Sequence, residues 1–239
     1  MQPLVTVVIP FYNDPYVDQA INSALLQTYA QVEIIVVDDG SLQYAERATR
    51  YQPRIYYLSK ANGGTATALN HGIKYASGKY IAWLSSDDLF YPDKIKHQVQ
   101  YMEERGAHIS FTNFDYIDAF NSVTKHRAAA TFHNVIEFYE SFFRINPING
   151  CTVMMSRKML DVVGCFDESL PFTHDLDLWY RAMLAGFEFH YIDTSLTAYR
   201  WHDAMGTMRH RDAIIHEVAS TNGRYHGRLA AFINQLNIR

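Results

Sequence analysis

A chain of 239 residues, 48% of them hydrophobic and 19% charged, can bury one substantial core and has the composition of an ordinary globular protein. Its formal net charge of −4 argues against the basic face that nucleic acid requires, and no apolar run approaches the ~20 residues of a membrane-spanning helix. The two cysteines, Cys151 and Cys165, lack metal-type spacing and suit a reducing compartment, so a cytoplasmic protein is expected, with contact at the inner face of a membrane left open.

The first half alternates strands with helices. Residues 4–10 (LVTVVIP) form a β-branched run, and residues 16–28 follow as a helix with Ile21, Ala24 and Leu25 on one face. Residues 32–37 (VEIIVV) predict a second buried strand, followed by a polar helix to about Tyr51. Strands at 54–58 and 79–84 flank a helix at 65–76, and Pro92 opens a further helix that runs to Arg105. Continuous apolar strands between amphipathic helices imply an α/β fold, with a mostly parallel sheet covered on both faces.

The second half is less regular. Strands are expected at 107–114, 151–156, 187–192 and 195–200, with helices at 135–143, 157–163, 174–185 and from about Arg209 to Leu236. The polar stretch 118–131 reads as turns. No linker or repeat divides the chain. Residues 1–115 read as a nucleotide-binding half, 116–205 as the acceptor-binding and catalytic half of the same domain, and 206–239 as a helical segment. Five arginines from Arg209 onward (209, 211, 224, 228 and 239) give that segment a mildly basic character, which suits packing, a partner helix or a membrane surface.

Carboxylates cluster where predicted strands end, and open α/β sheets bind ligands beyond the carboxyl ends of their strands. In YIAWLSSDDLFYPDK, Asp87 and Asp88 follow such a strand; they either hold a divalent cation bridged to phosphates or are a solvated pair before a helix. Asp38 and Asp39 in VVDDGS either accept from a ribose hydroxyl or base N–H, or cap the next helix. Pro10 and Tyr12 in PFYN suit base stacking or a strand-closing turn. Asn62-Gly63-Gly64 before a helix offers backbone N–H groups to an anion, but also reads as a plain turn.

Asp175 and Asp177, two apart in HDLDLW, cannot share a helix face, so at most one points into a cleft. A carboxylate shielded by Phe172, His174 and Trp179 suits a general base; the alternative has Asp175 capping the helix and Asp177 in solvent. In YRWH, Arg200 suits phosphate oxygens and His202 a metal, although most of the eleven histidines must be surface residues.

In order, these segments resemble the family 2 inverting glycosyltransferases of the GT-A fold, from about Val5 to His202. PFYN, VVDDGS and NGGTATALNHG resemble the family's nucleotide-binding strands and loops. LSSDDLFYPDK is similar to its metal motif D-x-D-D-x-x-x-P, and VGCFDE with HDLDLWYR to its G-G-F-D-E and E-D-x-D-L-W-x-R signature. Two departures stand out: Ser85 replaces the first Asp of the metal motif, and His174 replaces the Glu of the E-D pair.

The resemblance implies transfer of a sugar from a UDP-linked donor to an acceptor hydroxyl of a glycan or lipid-linked glycan, with inversion. It implies Asp175 as base, and Mg²⁺ or Mn²⁺ at Asp87 with His202 and Asp88. Pro10, Tyr12, Asp38, Asp39, Asn62 and Ser86 would meet the nucleotide, Arg200 the phosphates, and His174 and Trp179 the acceptor. The aromatic stretch 132–143 would form the acceptor side or belong to the core. Ser85 and His174 also leave open a nucleotide-sugar-binding module without catalysis. A nucleotidyltransferase is disfavoured by the absence of a glycine- and arginine-rich loop at the N-terminus.

Overall fold

The structure, a computed structural model, describes residues 2–201 and 210–237. The first half folds as β1 (Val5–Phe11), α1 (Val17–Leu25), β2 (Val32–Asp38), α2 (Ala45–Thr49), β3 (Tyr56–Ser59), α3 (Thr65–Tyr75) and β4 (Tyr80–Trp83). A two-residue strand β5 (Leu89–Phe90) and α4 (Lys94–Arg105) lead to β6 (Ile109–Ile117) and β7 (Val123–Lys125). The remainder comprises α5 (Val135–Ser141), β8 (Met154–Ser156), α6 (Arg157–Val163), α7 (His174–Leu184), β9 (Phe189–Arg200) and α8 (Arg211–Asn237).

One nine-stranded sheet holds these together in the order β3-β2-β1-β4-β8-β6-β9-β5, with β7 on β6. Strands β1 to β4 are parallel, and β8 runs antiparallel to both β4 and β6. Two reversals restore direction, so β6 and its parallel partner β9 point the same way as β1. The sheet is therefore mixed, and the carboxyl ends of β1, β2, β4, β6 and β9 share one edge.

Alternate residues of each strand feed opposite cores, because a strand's side chains change face at every step. Val8, Ile35, Val37, Ile81 and Trp83 join α3, α5, α6, α7 and α8 on one face, while Val7, Ile9, Val36, Ala82 and Leu84 join α1 and α4 on the other. Both faces are covered, which is why the central strands read as unbroken apolar runs.

Three sequence expectations change. The strands expected at 187–192 and 195–200 are one strand, β9, whose register against β6 shifts around Asn113. Asp193 and Thr194 break the apolar pattern without ending the strand, because the irregularity is absorbed as a bulge and the Asn113 amide donates to Asp193. The strand expected from Cys151 starts at Met154, after a 3₁₀ turn over Gly150–Thr152 capped by the Asn149 side chain. Both β5 and β7 lie in stretches read as loop or turn, and each is too short to show a period.

Candidate active site

The turn after β2 is built around a left-handed glycine. Gly40 has φ +78°, and a Cβ there would lie 2.9 Å from the Asn62 backbone nitrogen, so only glycine lets this turn pack on the 60–64 loop. The Asp38 carboxylate accepts from the Ser41 backbone N–H at 2.7 Å and from the Tyr57 hydroxyl, and burial beside that carboxylate pushes the tyrosine upward. Asp39 turns toward the start of α3 instead. It accepts from Gly64 N at 2.7 Å, Gly63 N at 3.0 Å and Lys60 Nζ at 2.5 Å. The Gly63 and Gly64 N–H groups that the sequence offered to an anion are therefore taken by a side chain of this protein. Asn62, exposed, donates to the Asp39 carbonyl, and Lys60 emerges as a residue that the sequence reading missed.

Tyr12 follows β1 at the same edge with 52% of its surface exposed, while Pro10 is buried within the strand. Ser86 donates to Asp14 at 2.8 Å, tying the loop after β4 to the loop after β1. Of the adjacent carboxylates after β4, Asp87 is half-exposed and Asp88 is fully buried. Asp88 accepts from the Arg200 backbone N–H at 2.8 Å and lies against the Cys151 thiol. Burial, with Asp87 alongside, raises its carboxyl well above the usual carboxylate range. This corrects the expectation of Asp88 as a metal ligand: it holds the turn from inside.

Arg200 is corrected in the same way. Its surface is 0% exposed, and its guanidinium donates to Asp87 O at 2.7 Å, Asp118 O at 2.8 Å and Gln19 Oε1 at 3.1 Å, over the Tyr16 ring. Three of its N–H groups are taken by protein and the side chain is buried, so it braces the Asp87 turn from inside. His202 lies outside the described residues. Among the described residues no three His, Cys, Asp or Glu side chains cluster as a metal site. Asp87 alone still suits Mg²⁺ or Mn²⁺, since such cations take one or two carboxylates and draw other oxygens from phosphates and water. Ser85, standing where the family has an acidic residue, faces Cys151 Sγ at 3.0 Å.

Asp175 sits in the first turn of α7, with Oδ1 accepting from Leu176 N at 2.7 Å and Oδ2 from Asn146 Nδ2 at 2.8 Å. Burial raises this carboxyl, while nearby His174 and the two donors pull it back. The His174 ring packs between Trp83, at 5.7 Å, and Phe166, at 5.6 Å, with both ring nitrogens buried and without a hydrogen-bond partner among the described residues. Trp179 is 0% exposed in the core beneath α7. Neither side chain faces an acceptor as expected; the apolar neighbours of α7 draw them inward.

Asp177, which the alternative reading put in solvent, is buried and pairs with Arg181 at 2.7 Å and the Tyr225 hydroxyl at 2.6 Å. Helix α8 supplies that tyrosine, a partner that no local pattern shows. Phe138 and Phe142 of the aromatic stretch are core residues.

Trp83, the last residue of β4, touches His174 and leads into the Ser85–Asp88 turn, so the turn carrying Asp87 and the start of the helix carrying Asp175 meet at one strand end. A cavity of about 450 Å³ opens at this edge of the sheet, lined by Tyr116, Ile117, Asp118, Thr124 and Trp201. A second, of about 380 Å³, lies at the opposite end of β4 beside Lys79 and Arg157.

The family model for glycosyl transferase family 2 matches residues 6–164, which include all of β1 but Val5, the Asp38–Asp39 turn and the Asp87 turn. The chain belongs to glycosyl transferase family 2. It is 38% identical over 211 residues to an uncharacterized glycosyltransferase of Rickettsia typhi, covering 86% of this chain and 66% of that one. It is 29% identical over 214 residues to TuaG of Bacillus subtilis, a putative teichuronic acid biosynthesis glycosyltransferase, covering 83% of this chain and 79% of TuaG. The Rickettsia relatives are longer proteins, and the chain spans from 27% to 66% of their lengths.

The fold matches S. aureus TarS with a TM-score of 0.70 at 17% identity, over 92% of this chain and 43% of TarS. TarS 1–349 in complex with UDP-GlcNAc matches at a TM-score of 0.68 and 18% identity, over 84% of this chain and 60% of that one. The family 2 resemblance and the α/β architecture of the sequence analysis are thus borne out. Among the described residues no helix is long and apolar enough to cross a membrane.

Proposed function

We propose that this family 2 chain transfers a sugar from a UDP-linked donor to an acceptor hydroxyl, with inversion, in the synthesis of a surface polysaccharide or glycoconjugate. The observation that carries the reading is the contact of Trp83 with His174, which brings the Asp87 turn and the helix start that holds Asp175 to one strand end. The family match and the UDP-GlcNAc complex of the TarS fold support the donor class.

In this reading Tyr12 stacks on the base at the mouth of the site, and the Asp38–Asp39 turn shapes the pocket wall around it. Asp87 would hold Mg²⁺ or Mn²⁺, whose charge would offset that of the leaving diphosphate. The Asp175 carboxylate accepts the proton of the acceptor hydroxyl as that oxygen attacks the anomeric carbon from the side opposite the diphosphate. Its raised proton affinity suits a base, because a carboxylate harder to keep ionised takes a proton more readily. Arg200 keeps Asp87 in place by binding its carbonyl, so the site is organised before substrate arrives. The acceptor, a glycan or lipid-linked glycan, would enter beside Asp175.

Asp175→Asn tests the reading. It should abolish transfer and leave UDP-GlcNAc binding, followed by thermal shift with and without Mn²⁺, within about twofold of wild type. Full transfer by this variant would refute the base assignment. Ser85, turned to Cys151, favours a second reading as a donor-binding module; binding without hydrolysis or transfer across an acceptor panel would support it.

A further inference from the structure

Asn146 is not part of any motif in the sequence, yet its amide lies 2.8 Å from the carboxylate assigned as base. The amide can face only one way. The backbone N–H of Ile148 donates to Asn146 Oδ1 at 3.3 Å, which places the oxygen on that side and leaves the NH₂ toward Asp175 Oδ2.

The segment carrying Asn146 is held by the same aromatic residue that holds the base. Pro147 and Ile148 are buried, and Asn149 caps the 3₁₀ turn. Gly150 lies flat on Trp83, where an added Cβ would approach the indole to 2.2 Å. Trp83 in turn packs on the His174 ring, next to Asp175. From Asp175 the path runs through His174, Trp83 and Gly150, along the chain to Asn146 and back to Asp175, closing a ring.

We propose that Asn146 is a positioning residue for the transfer reaction, holding the Asp175 carboxylate in one orientation and in its ionised form. The inference rests on Asp175 being the base. A donor that bonds to the charged form favours it, and burial opposes it, so removing the donor leaves burial less opposed. Among the described residues, the charged and titratable groups near Asp175 are these. His174 adjoins it, Asp177 of the same helix is committed to Arg181 and Tyr225, and Glu217 of α8 accepts from Phe172 N and Thr173 N just before α7. The loop after β4 brings Asp87 to the same edge.

The test is a ¹³C NMR titration of protein carrying [4-¹³C]aspartate, with Asp175→Asn identifying the Asp175 signal. Asn146 is exposed, so its variants should fold. In Asn146→Ala the Asp175 midpoint should rise by about one pH unit, and in Asn146→Asp, with a second carboxylate alongside, by more. The acid limb of the transfer profile should move with it, with kcat lowered and UDP-GlcNAc binding unchanged. An Asp175 midpoint unmoved in both variants overturns the proposal, whatever Asp175→Asn does to activity. A moved midpoint with a fully active Asp175→Asn would instead overturn the base assignment and, with it, the catalytic meaning of the contact.

Discussion

Asp87 and Asp88 are neighbours with opposite environments, and the difference decides what each can do. Asp88 has no exposed surface and a raised proton affinity, so its neutral form is favoured in the fold. Asp88→Asn keeps the shape and one acceptor oxygen for the Arg200 N–H. It should melt within a few degrees of wild type and retain Mn²⁺-dependent UDP-GlcNAc binding. Asp87→Asn should preserve the melting temperature but lose most of the Mn²⁺ effect on donor binding, as read by the same thermal shifts. Equal losses in the two variants would contradict the division of roles. The adjacent pair is visible in the sequence, but burial separates them, and burial depends on Arg200 and Cys151, which arrive from more than 60 positions away.

Elements far apart in the chain meet at two braces. Arg200, at the end of β9, ties the loop after β4 to α1 and to Asp118 beyond β6. Arg200→Met would strand three neutral acceptors that its guanidinium now satisfies, at a cost of about 1–3 kcal/mol for each that stays buried. Denaturant unfolding should show that loss, with donor binding impaired even where the fold survives. Gly150 is the second brace. Gly150→Ala forces a methyl against Trp83 and should cost about 1–3 kcal/mol, with a larger fall in kcat than in donor affinity because Trp83 supports His174 beside the base. A wild-type kcat in that variant would show that the ring of contacts has slack.

Stability of the fold as a whole should carry the mark of a buried lysine. Lys94, on α4, is fully buried against Gln98 and the Thr152 carbonyl, and burial pulls it down to about 7. Between pH 7 and its ordinary value the unfolded chain binds a proton that the native protein does not, so stability rises with pH across that window. Urea unfolding should therefore show stability climbing from pH 7 to pH 9, with a shallower climb in Lys94→Met. Binding should report on the same global equilibrium: a cognate nucleotide-sugar at 100 times its dissociation constant adds about 2.7 kcal/mol.

The alternation of apolar runs with amphipathic helices, the carboxylates at strand ends and the ordered motifs were legible in the amino acids alone, because each depends on neighbours within a few positions. Short-range chemistry determined the α/β class, the family and the candidates Asp87 and Asp175. The direction of β8, the merging of β9 and the fates of Arg200, Asp88, Trp179 and Asp177 were decided only in three dimensions. Each of these depends on which distant group arrives to bury or bond a side chain, as Tyr225 does for Asp177 and Asn146 for Asp175. A charge looks the same along the chain whether it will face solvent or be enclosed, because desolvation is a property of the assembled fold.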